Sequence, residues 1–323
     1  GKIDFFQTPK FVRIARYGKK IQMNEGVCPA YSDCRIGLSP DKFILSYCDR
    51  ALGITSAEEQ PVLPKGNNLS LHLLELFTSQ VAKVGMTDGI RQVLQEESDA
   101  LRAYYEQAGI LIARPAGGTS CRLAISAKGG TNAENHNHND VGSYAVALGS
   151  ETMVGDQGGD APQKYKIKGS FGHPVPVVDG RTQSSGGKAK GVVLQKEFTN
   201  EKDVFSIDYT SAYSTPNLDK LIRTFVYDRQ GEGNFTVGDE FTAKTPIRFE
   251  TAITTRADWK ILDDTHLLLA TDSEQMIVAI EASGKVAFTS ETIEVNSPAY
   301  TRIGIALKNQ SKEGYIRLKM YTK

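Results

Sequence analysis

The sequence lacks an excess of either charge. Lys and Arg together number 38, as do Asp and Glu, so the formal net charge is zero. Without a basic excess, wholesale binding to nucleic acid is not expected, and an anionic ligand would need a local basic patch. No apolar run approaches the roughly 20 residues that cross a bilayer as a helix. We therefore expect neither a nucleic-acid partner nor a membrane span.

The first ten residues, "GKIDFFQTPK", lack the apolar core of a secretory signal. Because ordinary globular sequence follows Gly1 at once, we expect a signal peptide or further protein to precede it in the natural gene product.

The four cysteines, Cys28, Cys34, Cys48 and Cys121, contain no CxxC pair, so neither a zinc ribbon nor a redox motif is indicated. The segment "CPAYSDC" could close a small loop through a disulfide. Small buried thiols explain the cysteines equally well, and the sequence leaves both possibilities open.

The 323 residues exceed what one core accommodates comfortably, which favours two domains. Helical spacing of apolar residues extends over positions 39–53, 68–85 and 87–109. The first run has Ser39 as a cap followed by proline, and it stops at Gly53; the last opens at Thr87 and stops at Gly109. These patterns predict a helical segment over residues 1–109.

After Gly109 the sequence consists of short segments rich in Val, Ile, Thr, Tyr and Phe, separated by Gly, Asn or Asp. The segments are "CRLAISA", "SYAVALG", "GVVLQKEF", "DVFSIDYT", "DKLIRTFVYD", "IRFETAITT", "HLLLAT" and "QMIVAIEA". This spacing is typical of an antiparallel sandwich and not of alternating helices and strands. The predicted fold class is α+β, mainly β, with a large antiparallel β-sandwich over residues 110–323.

The segment "NHNHND", residues 135–140, concentrates histidine in a chain that has only five. In an extended strand, positions i and i+2 share a face, so His136 and His138 would project into one space. Zinc is held by neutral imidazoles together with Cys, Asp or Glu, usually with four ligands in total. The HxH pair therefore predicts a metal site, or a metal beside an acid/base group.

Further ligand candidates follow within forty residues: Asp140, Asp156, Asp160 and His173. If "VGSYAVALG" is a strand and residue 151 opens its return, the hairpin brings Asp156 back beside the histidines. The remaining histidines, His72 on a leucine-rich helix and His266 at a strand start, are expected to be structural.

The blocks "ENHNHNDVGSYAVALGSETMVGDQGGD" and "KYKIKGSFGHPVPVVDGRTQ" together resemble the heparinase II/III-like polysaccharide lyases. That family has an HxHxD block, an aspartate at the end of the next strand and a histidine before a "VDG" turn. The resemblance is close over residues 130–183. It implies that the helical first third is the end of an (α/α) toroid, truncated at its start, with "CPAYSDC" in a toroid loop.

By resemblance, His138, Asp156 and His173 hold a divalent metal, expected to be zinc, and His136 is a catalytic acid/base. The implied reaction is β-elimination on an acidic, uronate-containing polysaccharide. Such a substrate is too large to enter a cell whole, which implies a periplasmic or secreted protein.

β-Elimination also needs an acid and a base at the sugar and a group that neutralises the carboxylate. The family takes these residues from the toroid upstream, and residues 1–109 contain no convincing counterpart. Tyr31 and Tyr165 are the catalytic tyrosine candidates, although Tyr31 packing on the rim and Tyr165 forming a supporting hydrogen bond are the alternatives.

The candidate substrate-binding residues are Asn135, Lys164 and Arg181. Lys164, Lys166, Lys168 and Arg181 form a basic cluster that would hold sulfate or carboxylate groups.

Two other functions remain open. A carbohydrate-binding sandwich would use zinc only to brace loops. A zinc hydrolase would need an open ligand position and a general base such as Glu134.

Overall fold

The computed structural model describes residues 8–54, 87–96, 100–155, 166, 168–294 and 298–323. The predicted helix over residues 68–85 with His72, and the candidates Asp156, Asp160, Lys164 and Tyr165, lie outside these described residues. The chain divides into two compact units: a helical unit, Gly1–Gln22 with Ser39–Ala100, and a β unit, Met23–Leu38 with Leu101–Lys323.

The helical unit contains three helices in its described part: α1 Pro9–Lys20, α2 Lys42–Ala51 and α3 Asp88–Glu96. Helix α1 packs against both of the others. Their apolar faces meet in a small core of Val12, Leu52, Ile90 and Val93. None of the described helices is long and apolar enough to cross a membrane.

Helix α2 begins at a different cap from the predicted one. The carboxylate of Asp41 accepts hydrogen bonds from the backbone N–H groups of Phe43 and Ile44, so Asp41 replaces Ser39 as the cap. Aspartate so placed satisfies two of the orphan donors of the first turn. The predicted end is confirmed, because Gly53 follows the helix with a φ of +66°, the left-handed conformation that glycine adopts easily.

The predicted helix that opens at Thr87 does not extend to Gly109. Helix α3 ends at Glu96, and Arg102–Tyr105 forms strand β1, paired antiparallel with β2, Ile110–Ala113. Gly109, with a φ of +62°, closes the turn between them. Tyr104 packs edge-on against two phenylalanine rings of the β unit. Packing of this partly buried aromatic residue in a sandwich therefore overrides the helical spacing of 101–109.

The β unit consists of antiparallel strands, and all eight segments predicted from composition contain one. After β1 and β2 the strands are β3 Leu123–Lys128, β4 Thr131–Asn132, β5 Tyr144–Leu148, β6 Glu151–Val154, β7 Val177–Val178, β8 Gly186–Lys190, β9 Val192–Phe198, β10 Lys202–Asp208, β11 Leu218–Asp228, β12 Asn234–Ile247, β13 Phe249–Thr255, β14 Asp258–Asp263, β15 His266–Ala270, β16 Gln275–Ala282, β17 Val286–Ile293, β18 Tyr300–Leu307 and β19 Ser311–Thr322.

The strands form three main sheets. The largest has the order β14-β15-β16-β19-β12-β11-β10-β9, and the smaller ones are β1-β2-β3-β5-β6 and β17-β18-β13-β7. Strands β4 and β8 make a separate two-stranded sheet. The two smaller sheets are linked by hydrogen bonds between β13 and the end of β6, including one from the Thr255 hydroxyl to the Met153 carbonyl.

The core lies where the smaller sheets face the eight-stranded sheet. Tyr144 on β5 packs against Phe225 and Phe235, whose rings stack 6.2 Å apart. Each such buried aromatic contributes about 1.5–3 kcal/mol. The outcome is the antiparallel sandwich that the sequence predicts.

The predicted hairpin of β5 and β6 is confirmed, with Gly149 (φ +57°) in its turn. The return strand pairs Val154 with Val146 and carries the chain back to Gly155. Gly155 donates its N–H to the Thr254 carbonyl at 3.1 Å. The hairpin thus returns the chain toward the start of β5, where the histidine-bearing loop ends.

All four cysteines are free thiols. Burial, and after it the charge of Cys34, raises the pKa of Cys28 to about 11. Cys28 is therefore protonated and weakly reactive at neutral pH.

Candidate functional site

The "NHNHND" segment lies in a loop between β4 and β5 and not in an extended strand as predicted. The N–H of Asn137 donates to the Glu134 carbonyl at 3.2 Å, which closes a turn with His136 at its third position. His136 has a φ of +57°, a left-handed conformation in which histidine is enriched among non-glycine residues. Asn135 and His136 are exposed, whereas His138 is buried.

The carboxylate of Asp33 lies close to both histidines of this loop. Its Oδ2 lies 2.7 Å from Nδ1 of His136, and its Oδ1 lies 3.4 Å from Nε2 of His138. The hydrogen bond from His136 lowers the pKa of Asp33. Asp33 belongs to Met23–Leu38, which is part of the β unit. The HxH pair therefore does converge, through a carboxylate 103 positions away in sequence.

His138 and His173 form a buried pair. Both side chains are fully inaccessible, and their ring centroids are 5.2 Å apart. His173 follows a short 3-10 turn, Ser170–Gly172, and its N–H donates to the Ser170 carbonyl. The structure therefore brings together two of the three predicted metal ligands.

The separation of this pair is that of two imidazoles on one tetrahedral zinc with bonds of about 2.0–2.1 Å, whose ring centroids are about 5 Å apart. It is equally that of two rings that pack against each other. Within the described ranges, no group of three or more His, Cys, Asp and Glu side chains is arranged to hold a metal. The third predicted ligand, Asp156, lies just beyond Gly155 and outside those ranges.

Asp140, another ligand candidate, is in a buried ion pair. Its Oδ1 lies 2.5 Å from Nζ of Lys128, and both side chains are almost inaccessible. Its backbone N–H donates to the side-chain oxygen of Asn132 at 3.1 Å. The ion pair and the amide anchor the loop to β3 and β4.

The side-chain amide of Gln183 forms hydrogen bonds with the next residue of the loop, Val141. Its amide oxygen accepts from the Val141 N–H at 3.1 Å, and its amide nitrogen donates to the Val141 carbonyl at 2.7 Å. The same oxygen accepts from Asn132. Buried polar groups of a loop need such partners, and Gln183 satisfies both backbone groups of one residue.

Arg223 joins the two loops that carry the buried histidines. Its Nη1 donates to the carbonyls of Gly142 and Pro174, each at 2.7 Å. Its Nε and Nη2 donate to the two carboxylate oxygens of Asp239, also at 2.7 Å. Burial alone would lower the pKa of Arg223, but the charge of Asp239 raises it above its usual value. The guanidinium is therefore a permanent buried cation.

The carboxylate of Asp239 also accepts hydrogen bonds from two hydroxyl groups. Tyr209 and Thr251 each donate to it at 2.7 Å. Burial raises the pKa of Tyr209 well above its usual value, so that hydroxyl stays a donor. Every charge in this network thus has well-aligned partners, the condition under which a buried ion pair is tolerated.

The other predicted site residues have separate positions. The hydroxyl of Tyr31 is 2.8 Å from the Ser126 hydroxyl, and its half-buried ring lies 5.7 Å from Nζ of Lys128. The Tyr31 side chain is therefore held between Ser126 and Lys128. Arg181 is exposed and donates to the Ser214 carbonyl at 3.4 Å.

The predicted basic cluster is only partly described. Lys166 is in an ion pair with Glu291 and lies over the ring of Phe171. Lys168 is exposed and accepts, through its carbonyl, the N–H of Asn139 at 2.9 Å. The predicted residues Lys164 and Tyr165 lie outside the described residues.

Sequence reasoning missed the residues that brace the site: Asp33, Lys128, Gln183, Arg223 and Asp239. A signal existed for two of them. On β11 and β12 alternate residues are buried, and Arg223 and Asp239 occupy inward positions among apolar neighbours. A charge at an inward strand position requires a buried partner.

Comparison with solved structures finds matches over nearly the whole chain. A heparinase III structure with methylated lysines superimposes with a TM-score of 0.64 at 12% identity, covering 96% of this chain and 45% of that one. A second heparinase III structure gives 0.62 at 14% identity, covering 97% and 48%. Heparan sulfate lyase HepC from Pedobacter heparinus gives 0.61 at 13% identity, covering 94% and 45%.

No family model and no curated protein matches the sequence. The chain spans a little under half the length of the heparinase III structures that it matches. At these identities the likeness concerns the fold. The chain has a heparinase III-like, polysaccharide lyase-like fold.

Proposed function

We propose that the chain is part of a polysaccharide lyase that cleaves an acidic, uronate-containing polysaccharide by β-elimination. One observation carries the proposal. Within a heparinase III-like fold, an exposed histidine, His136, lies in the same loop as His138, which forms a buried pair with His173. An exposed imidazole is available to a polymer, and a buried pair beside it suits a metal or a structural brace.

The reaction breaks the C5–H and C4–O bonds and forms the C4=C5 π bond and an O–H bond on the leaving oxygen. A base removes the proton at C5 of the uronate, the C4–O bond breaks, and the C4=C5 double bond forms while a proton reaches the leaving oxygen. No water is consumed. Charge that builds on the carboxylate must be neutralised by a donor or a cation.

Among the residues that the structure describes, His136 is the one best suited to move a proton in that scheme. A neutral imidazole has one ring nitrogen that donates a proton and one that accepts a proton, so it can act as acid or base. Its Nδ1 faces Asp33, so Nε2 is the nitrogen available to a sugar. Asn135 beside it, with Lys164 and Arg181, is proposed to contact the substrate, and Tyr165 or Tyr31 to complete the acid/base set.

A zinc ion, if bound, would be held by His138, His173 and Asp156. It would supply a fixed cross-link between the loops, since metal-bound histidines orient their surroundings. We place no reaction step on it. Because the substrate is a polymer, we propose a periplasmic or secreted location.

Activity and metal content test this proposal in the full-length natural protein that contains this chain. Acidic polysaccharides should produce the ultraviolet absorbance of an unsaturated uronate. His136→Ala should abolish that signal with normal zinc content, whereas His138→Ala and His173→Ala should lose zinc. His266→Ala on the surface is the matched control and should change neither.

Two outcomes would defeat parts of the proposal separately. Reducing ends that appear without the absorbance signal would favour hydrolysis over elimination. Normal zinc content in His173→Ala would remove His173 from the ligand set.

A further inference from the structure

The contact between Asp33 and His136 joins two turns that both have a left-handed residue. Within the described residues, the non-glycine residues with positive φ are Ser32, His136 and Asp179. Asp179 is explained by the tight turn that it forms with Gly180. Ser32 precedes Asp33, and His136 is itself the contact residue. Such conformations cost free energy in non-glycine residues and cluster at functional sites.

These two turns place the carboxylate of Asp33 next to the imidazole of His136. The N–H of Cys34 donates to the Tyr31 carbonyl at 3.1 Å, which closes the turn around Ser32 and Asp33. The opposite turn, residues 134–137, presents His136 with 69% of its side chain exposed, while 43% of the Asp33 side chain is exposed. The contact is therefore formed at the surface, where a polymer can reach the ring.

A carboxylate next to Nδ1 decides which nitrogen has the proton. An ionised carboxylate only accepts hydrogen bonds, so the Nδ1 that lies 2.7 Å from it must donate. In the neutral ring this leaves the lone pair on Nε2. A hydrogen bond to a charged acceptor is also stronger than one to a neutral acceptor.

We propose that Asp33 is a positioning residue that holds His136 as the tautomer protonated at Nδ1 and turns Nε2 toward the substrate. This inference rests on the proposed lyase function in so far as His136 acts on a sugar; the tautomer itself does not depend on activity. The other oxygen of Asp33 lies 3.4 Å from Nε2 of His138, a longer and weaker contact than the one at 2.7 Å with His136. Asp33 therefore acts mainly on the exposed ring.

Nuclear magnetic resonance of the chain with labelled histidine tests the tautomer directly. His136→Gln assigns the His136 signals. Measured at a pH where the ring is neutral, the wild type should show a protonated Nδ1 and an unprotonated Nε2. Asp33→Asn should move His136 toward the other tautomer, because the new amide N–H can donate to Nδ1, and Asp33→Glu should restore part of the wild-type signal.

The chain offers a matched control pair. His266 contacts Asp263 through Nδ1 at 3.0 Å on the surface. Asp263→Asn should change the His266 signals and leave those of His136, and the activity, unchanged. A general effect of removing a surface carboxylate would instead appear in both histidines.

Activity in the full-length protein provides the second readout. Asp33→Asn should lower kcat about 10–100-fold, the usual effect of losing an orienting partner, with little change in KM and normal zinc content. If the wild type proves inactive on acidic polysaccharides, the lyase proposal fails while the tautomer result still decides the role of Asp33.

Three results would overturn the inference: an unchanged His136 tautomer in Asp33→Asn, an unchanged kcat where His136→Ala is inactive, or loss of zinc from Asp33→Asn. The last result would identify Asp33 as a metal ligand instead. If Asp33→Asn does not fold, as judged by circular dichroism, Asp33→Ser serves for the same measurements.

Discussion

Replacement of Arg223 by methionine should both destabilise the β unit and loosen the histidine pair. The substitution keeps most of the side-chain length and removes the buried cation. It leaves Asp239 charged and buried, although Tyr209 and Thr251 still donate to it. It also removes the donor shared by the Gly142 and Pro174 carbonyls.

The magnitude follows from these lost partners. Removing one member of a buried ion pair costs about 3–5 kcal/mol, and each carbonyl left without a donor adds up to about 1–3 kcal/mol if water does not replace it. We expect the free energy of unfolding to fall by at least about 3–5 kcal/mol, the cost of the broken ion pair alone. Combining Arg223→Met with Asp239→Asn should recover roughly 1–3 kcal/mol of this loss, because the unpaired charge is gone.

Urea unfolding with comparison of midpoints and slopes is the assay. Arg317→Met is the matched control: Arg317 lies on β19, is 40% exposed and pairs with Glu240 and Glu281. Its loss should cost no more than about 1 kcal/mol. The affinity of the zinc site proposed above should fall about 10–100-fold in Arg223→Met and stay unchanged in the control. Equal destabilisation by the two substitutions would refute the role assigned to Arg223.

Three further outcomes are expected. Lys128→Met should lower the free energy of unfolding by about 3–5 kcal/mol, because it removes the cation that pairs with the buried carboxylate of Asp140. A loss below about 1 kcal/mol in urea unfolding would contradict this. Gly109→Ala should destabilise markedly, since its φ is +62° and an added Cβ would lie 2.6 Å from a backbone nitrogen, whereas Gly117→Ala, with open space around it, should not. The carboxyl of Asp263 should titrate near pH 2 by nuclear magnetic resonance, because hydrogen bonds, first from the backbone N–H two residues on, lower its pKa to about 2. Its stabilising contribution is therefore present above the unfolded pKa and lost as the pH falls through about 2, and a midpoint near the ordinary value would contradict this.

The β architecture was predictable because its signals are local. Alternating β-branched and aromatic residues between turn residues indicated each of the eight predicted strands, and the β5–β6 hairpin followed from Gly149 and the flanking apolar runs. The predicted helix over 87–109 was wrong in its last part, residues 101–109. A tyrosine such as Tyr104 suits both an amphipathic helix and a half-buried strand, and only its packing on Phe198 and Phe205 decides between them.

The site was predictable in part. Proximity of His138 and His173 followed from the resemblance, and their metal-binding role stays a prediction. The inward positions of Arg223 and Asp239 were visible in the alternation of β11 and β12, but not the loops that Arg223 would join. Asp33 had no signal, because nothing near residue 33 indicates a partner at residue 136.

The sequence by itself determined the strand segments, the turn glycines and the concentration of histidine between residues 136 and 173, since these depend on neighbouring residues and on composition. Only the tertiary structure decided which imidazole is exposed, which is buried and which carboxylate faces them. The physical reason is that a turn conformation such as that of His136, and a contact such as that with Asp33, are stabilised by groups far apart in the chain. Their free energy is gained only after the sheets have packed.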